Sequence, residues 1–403
     1  MSLRILIAPS GFKESLQAEE VAQCIEAGIR QVLPEAVVYK APLVDGGEGF
    51  THTLVNATGG VLHHRTVTGP VGQPVAAHFG FLGGPGPKTA VLEMAAAAGL
   101  RLVPRDQRDP LCTTTYGVGE LIAAALDAGA ERILVGCGDS GTNDGGAGMA
   151  QALGVRLLDA AGQPLGLGGG ELSRLASIDL RDRHPALPHT PIDVACNWHN
   201  LLCGPQGVAR VFGSQKGASP ATVERLAGAL DQYAAVIEHD LGLDLRTAPG
   251  SGASGGLGAG LVAFCGARLH PRYDIVMQYL NFEHLLSQVD LVITAEGALD
   301  FQTPRGKIPA EVARRAKQHQ LPVIALAGTL GQGVVDNYAH GIDAFATILE
   351  APCQLEEAIQ RTGDLLVAAT ERVMRNLLLG QALVQRQLER LMKSHVFLQA
   401  VGA

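Results

Sequence analysis

The sequence predicts an α/β protein: a discontinuous doubly wound parallel-sheet domain interrupted by a second, inserted α/β domain. Three observations predict it. The chain has 403 residues, too long for one core and suited to two domains. Short runs of Val, Ile, Leu and Ala, each closed by small residues, alternate with helical segments. The run grammar at the start of the chain returns near its end, which places both ends in one sheet.

Residues Arg4 to Ala8 form the first such run, and the loop APSGFKES follows it. The next segment carries Val21, Ile25, Ile29 and Val32 at helical spacing. A second run, AVVYKAPL, leads into DGGEG, which sets Asp45 and Glu48 just past the carboxyl end of a strand, where open α/β sheets gather ligands. Far downstream, DLVITAEGALD, LPVIALAGTLG and IDAFATILEAP read as strands alternating with helices such as PAEVARRAKQHQ. The expected organisation is therefore residues 1–70 plus 275–376 in one domain, 71–274 as the insertion, and 377–403 as a helical extension. In that extension Val384, Leu388 and Leu391 share a helical face, which predicts a helix that packs or dimerises.

Composition narrows the function classes. With 47% hydrophobic and 17% charged residues the chain reads as an ordinary globule, and no stretch reaches the ~20 apolar residues of a membrane span. The net charge is −8 and the basic residues are scattered, which argues against nucleic acid as a partner. The first apolar run is too short for a secretory segment, and seven cysteines without a CxxC pair read as reduced thiols, so a cytoplasmic location is expected. The 51 glycines concentrate in runs such as GDSGTNDGGAG and GSGASGGLGAG, where backbone amides can approach an anion closely. No GxxxxGK[ST] is present, so a P-loop is not the cradle.

The blocks APSGFKES, DGGEG, LEMAAAAGL, TTTYGVGELI, SGTNDGGAGMAQALG, GPQGVARVFGSQKGA, GSGASGGLGAGL, AEGALDFQTPRGK and VIALAGTLG follow one another in a fixed order over roughly residues 3–376. In that order they resemble the family of bacterial glycerate kinases that produce 2-phosphoglycerate. The resemblance implies a Rossmann-like domain, an inserted α/β domain, and a cleft that binds ATP, Mg²⁺ and a small hydroxy acid.

Residue by residue, Lys13 resembles the basic position of the family's first loop and would neutralise phosphate or the substrate carboxylate. Lys13, Asp45, Asp300 and Lys307 are the catalytic candidates, and Glu48 and Glu296 the candidate metal ligands. Ser140, Thr142, Asn143, Asp144, Gly145 and Gly146, with Ser254 and Gly255, are the candidate nucleotide-binding set. Each has a structural alternative: an N-cap for Asp144, close helix packing for the 254–255 glycine run, and surface ion pairing for Glu296, Asp300, Arg305 and Lys307.

The chain also departs from the family pattern. Ser10 and Gly11 replace an Asp and a Ser, Asn197 an Asp, Ala295 a Gly, Ala298 an Arg, Phe301 a Gly, and Asp139 a residue that is usually glycine. Phe301 and Trp198 add apolar bulk, and His199 is a candidate replacement base. These changes raise two alternatives to a glycerate kinase: a kinase retuned to another hydroxylated acceptor, and a nucleotide-binding pseudokinase with a regulatory role.

Overall fold

The computed structural model describes residues 2–12 and 14–401, from Lys393 onward as backbone alone; Lys13 lies outside the described residues. Thirteen strands are formed among them: β1 (Arg4–Ile7), β2 (Val37–Lys40), β3 (Val61–Thr68), β4 (Pro74–Phe81), β5 (Thr89–Glu93), β6 (Arg132–Gly136), β7 (Arg156–Leu158), β8 (Ser177–Asp179), β9 (Ile192–Cys196), β10 (Arg268–Pro271), β11 (Leu291–Leu299), β12 (Val323–Leu330) and β13 (Ala344–Thr347). They fall into two compact units, residues 1–43 with 281–403, and residues 44–280.

The first unit carries a five-stranded, wholly parallel sheet in the order β13-β12-β11-β1-β2. Its central strands are apolar on both faces because helices cover both sides, as parallel sheets require. On one side Ile5, Ile7, Leu291, Ile293 and Leu326 pack under Val21, Ile25 and Ile29 of the helix Ala18–Val32 and under Leu365, Leu366 and Ala369 of a second helix. The first of these helices starts on a capping box, with the Gln17 amide donating to Glu20 at 2.8 Å. Its apolar period of 3.6 residues puts all three buried β-branched residues on one stripe.

The second helix runs unbroken from Thr362 to Val401. The segment expected as a separate extension after residue 376 thus continues a helix whose first turns already belong to the core. The free-standing appearance of that segment in the sequence comes from its exposed residues Leu379, Leu383, Val384 and Leu388.

The second unit has a six-stranded mixed sheet in the order β10-β9-β6-β5-β4-β3. β3, β4 and β5 form an antiparallel meander, and β5, β6, β9 and β10 are parallel. β7 and β8 pair separately. β3 pairs with β4 over its whole length, so residues 61–68 fold with this sheet, whereas the sequence reading placed the first boundary near residue 70. That pairing is a tertiary contact, and no local signal at residue 44 announces it. Tyr233 on the helix Pro220–Leu241 is fully buried and donates its hydroxyl to the Gly145 carbonyl at 2.8 Å, linking this helix to the loop that follows β6.

Gly28 sets the distance between the two core helices of the first unit. A Cβ at Gly28 would lie 2.5 Å from the Val367 carbonyl oxygen and 2.6 Å from Thr370 Cβ. Gly28→Val should therefore lower the urea midpoint, by about 1–3 kcal/mol of stability, through overpacking. An unchanged midpoint would show that the helices separate freely at this position.

Candidate active-site loops

In the second unit the parallel strands β5, β6, β9 and β10 all end on the same edge, and loops from each end meet the DGGEG segment there. Gly46 makes this contact possible. It has φ of +87°, and a Cβ on it would stand 2.9 Å from the Ala195 carbonyl oxygen, at the end of β9. The buried carboxylate of Glu93 closes β5 and accepts from the Gly49 and Thr51 amides at 3.1 and 2.8 Å, fixing the first turn of the helix Phe50–Thr58. Burial pushes the Glu93 pKa up, against the lowering effect of those amides.

This anchoring leaves Asp45 and Glu48 exposed on the loop surface. Asp45 faces Arg272 at 3.5 Å, and Glu48 pairs with Arg101 at 3.0 Å. Asp139 joins them: its Oδ2 accepts from the Glu48 amide at 3.0 Å. Asp139 has φ of +50°, a left-handed conformation in which glycine is at ease and Asp is among the few tolerated side chains. The departure at Asp139 therefore keeps the backbone shape and adds a third carboxylate to the loop pair.

The loop after β6 is built differently, around buried charge. Asp144 is fully buried, and its carboxylate accepts from the Thr115 amide (2.8 Å) and hydroxyl (2.9 Å) and from the Gly146 and Gly148 amides (3.1 and 3.2 Å). Burial pushes its pKa up, while those donors act in the opposite direction. The amides at the start of the helix Ala147–Ala152 are thus occupied by the protein's own carboxylate, a role close to the N-cap alternative.

Gly255 likewise serves close packing. Its φ is +71°, a Cβ on it would stand 2.0 Å from the Thr142 carbonyl oxygen, and its own carbonyl accepts from the Gly145 amide at 3.0 Å. Ser254 shares this left-handed stretch, with φ of +52°.

Lys216 braces the same loop and was not singled out from the sequence. It is 2% exposed, and its ammonium donates to Ser140 Oγ (2.8 Å), the Thr142 carbonyl (2.7 Å) and Asn143 Oδ1 (3.3 Å). Burial pushes its amine down to about 7, opposed by the charge of Asp144. The only sequence signal was its place in the block GPQGVARVFGSQKGA, because a lone Lys between polar residues otherwise reads as solvated. Two buried groups beside it, Thr142 Oγ1 and Asn143 Nδ2, have no hydrogen-bond partner in the protein. Buried polar atoms are seldom left unpaired, and such orphans beside a buried cation suit an anionic ligand.

In the first unit Glu296 and Asp300 lie at and beyond the carboxyl end of β11, with Lys307 Nζ 3.5 Å from Asp300 Oδ1. The Arg305 guanidinium stacks 5.4 Å from the Phe301 ring centroid. At the neighbouring end of β1, the buried Ser10 donates its hydroxyl to the Ala295 carbonyl at 3.1 Å, so two departures from the family pattern bond to one another. Asn197 accepts from the His199 amide at 3.1 Å within an exposed turn. Among the described residues no group of three or more His, Cys, Asp or Glu is arranged to hold a metal ion unaided.

A unit with a doubly wound parallel sheet and a unit with a mixed sheet, each carrying charged or polar groups at strand ends, define an α/β protein without a Walker loop. The comparisons give the family. The sequence model of the Glycerate kinase family matches residues 5–378. A glycerate kinase of Halalkalibacterium halodurans is 47% identical over 369 residues, covering 92% of this chain and 97% of the relative. A glycerate 2-kinase of Escherichia coli is 47% identical over 378 residues, covering 94% and 99%. A crystal structure of a glycerate kinase 2 from Salmonella typhimurium LT2 superposes with a TM-score of 0.84 at 46% identity, covering 94% and 99%. The chain belongs to the glycerate kinase family.

Lys216 gives the loop a pH signature. Between pH 7 and about 10.5 the unfolded chain holds a proton on this amine that the folded chain does not, so its contribution to stability rises with pH across that window. In Lys216→Met the rise should vanish, and three acceptors lose their donor at a cost on the order of 3 kcal/mol at neutral pH. Urea midpoints of both proteins from pH 6.5 to 10 check this; parallel curves would refute it.

Proposed function

We infer that this chain transfers the γ-phosphoryl group of ATP to glycerate, forming 2-phosphoglycerate. Family membership supports the kinase activity, and relatives described as glycerate kinases and a glycerate 2-kinase support the acceptor and the position phosphorylated. The observation in the structure that carries the reading is the pair of orphaned polar groups, Thr142 Oγ1 and Asn143 Nδ2, beside the buried ammonium of Lys216. This loop offers hydrogen bonds to an anion, the feature common to the substrate carboxylate and the nucleotide phosphates.

Magnesium belongs to the same proposal. The ion is typically held by one or two carboxylates together with substrate phosphates, so a three-residue protein cage is not needed. The exposed pair Asp45 and Glu48, with Asp139 adjoining, fits that donor set of hard oxygens. When bound, magnesium would neutralise phosphate charge. Glu296, Asp300 and Lys307 are the further charged candidates on the first unit, where Lys307 is close enough to Asp300 to keep its charge partly screened until an anion arrives.

Asp144, Gly145, Gly146, Ser254 and Gly255 enter this proposal as positioning residues. Asp144 fixes the start of the following helix, Gly255 packs against Thr142 and bonds to Gly145, and Ser254 shares the left-handed stretch that brings Gly255 there. Self-association is proposed through the exposed apolar residues Leu383, Val384 and Leu388 of the last helix. Among the described residues no helix is long and apolar enough to cross a membrane.

The test is ADP release from ATP and Mg²⁺ with D-glycerate, with the product identified as the 2- or 3-phosphate. Turnover giving 2-phosphoglycerate is expected, and EDTA should abolish it until Mg²⁺ is restored. Nucleotide binding without turnover on glycerate would overturn the reading. Asn143→Ala should lower kcat/KM about 10–150-fold, the value of one hydrogen bond to a charged group, with little change in thermal midpoint. An unaltered kcat/KM would remove Asn143 from the site.

A further inference from the structure

In the first unit, chain order and sheet order diverge at one place. Counting only its own strands, the sheet runs 2-1-3-4-5: the connection from β1 to β2 moves one way, and β11, β12 and β13 add in the opposite direction. β1 and β11 therefore form a topological switch point. In open parallel α/β sheets the crevice outside the carboxyl ends at such a point is where ligands settle.

A cavity of about 290 Å³ opens at these strand ends, within the first unit alone. Phe12, from the loop after β1, forms one wall, and Gly297 of β11 and Gly328 of β12 form the floor. Ile348 and Leu349, just past β13, line the far side, and Cys353 and Ala358 sit in the segment that covers it. The floor is flat because both of its residues lack a side chain. A Cβ on Gly328 would stand 2.6 Å from the Gly297 carbonyl oxygen and 3.4 Å from the Phe12 ring, so any side chain there would occupy the cavity base.

Two of the three hydroxyls in the lining are already committed: Ser15 Oγ donates to the Ile359 carbonyl at 2.9 Å, and Thr362 Oγ1 to the Ala358 carbonyl at 2.8 Å, while the third belongs to the exposed Thr329 at the end of β12. What the cavity presents is mostly apolar: the Phe12 ring, the aliphatic side chains of Ile348, Leu349, Leu355 and Ile359, and bare peptide planes at the two glycines. Its size lies at the lower end of small-molecule sites, enough for a planar heterocycle and too small for an entire nucleoside triphosphate.

Charge next to the cavity is polar and mixed. Glu296 adjoins Gly297 on β11, and Asp300 follows on the same strand's exit with Lys307 beside it. An apolar slot bordered by metal- and phosphate-type groups is the layout that a nucleotide needs at its two ends.

We propose that this cavity is the purine-base subsite of the nucleotide donor, with the base lying on the Gly297–Gly328 floor between Phe12 and the Ile348–Leu349 wall. The proposal rests on the ATP-dependent reading above. It adds a location for the base that the family assignment does not supply. Recognition here is by shape and apolar contact, so the base is held by burial more than by hydrogen bonds.

Cys353 lets the wild-type, full-length protein report occupancy. Alkylation by iodoacetamide is followed by peptide mass spectrometry, with the exposed Cys112 of the other unit as internal reference. Saturating ATP with Mg²⁺, and adenosine alone, should each slow modification of Cys353 at least tenfold and leave Cys112 unchanged. Inorganic tripolyphosphate should not slow it. In parallel, Ala358→Phe fills the cavity from its helical rim without touching the glycine floor. That variant should raise KM for ATP tenfold or more, leave KM for glycerate within about twofold, and keep kcat within about threefold. Wild-type turnover of ATP and glycerate with neither Cys353 protection nor a KM shift would overturn the base subsite while leaving the kinase reading standing. Absence of turnover in the wild type would instead strike the kinase reading itself.

Discussion

The second unit depends on two ionisable groups placed where water cannot reach them. Asp144 gathers an amide and a hydroxyl from Thr115 and further amides from its own loop after β6, and Lys216 donates to Ser140, Thr142 and Asn143 of that loop. Either group alone in the interior would cost several kcal/mol. Together with their dense hydrogen bonding they fix a segment that glycine would otherwise leave with many conformations. Rigidity of this kind is what lets Thr142 and Asn143 hold donors unpaired, because a pliable loop would fold back and satisfy them internally.

The same logic explains why carboxylates that meet around the DGGEG segment end up in different states. Glu93 is buried and consumed by two helix-start amides, which makes it part of the scaffold. Asp45 and Glu48, on the segment that this scaffold anchors, stay exposed with arginine partners that are themselves half-exposed or exposed. Exposed pairs are worth little to stability, so these are the carboxylates a cation can claim without unfolding anything.

Much of this was readable from the sequence, and the limits have physical causes. Strand runs of apolar residues ending in small ones located β1, β11 and β12, because a buried strand tolerates few other compositions, and the edge strands β2 and β13 followed from their β-branched and aromatic residues. The glycine runs marked the right loops but not their use. A glycine that admits a phosphate and one that admits a neighbouring backbone look alike in one dimension, and Gly255 is of the second kind. Lys216 was invisible for a related reason: burial is a property of the surrounding fold, and nothing in GSQKGA distinguishes a buried ammonium from a solvated one. The start of the last helix at Thr362 was masked because its buried turns, around Leu365, Leu366 and Ala369, read as part of the preceding domain.

The departures from the family pattern, which raised a retuned kinase or a pseudokinase, take on a different weight once they are in place. Ser10 bonds to the backbone of Ala295 in β11, and Asp139 bonds to the backbone of Glu48, so in both cases the new side chain ties a loop to a neighbouring segment. A pseudokinase that has lost selection on its site would be expected to show these positions drifting independently. Instead the changed side chains are absorbed into backbone ties at strand ends, and relatives carrying the glycerate kinase name share about half of all residues along nearly the whole chain. No observation favours either alternative. The substitutions therefore change the surfaces of loops at strand ends, where Phe301 and Trp198 are exposed, and none of them breaks the backbone ties described above.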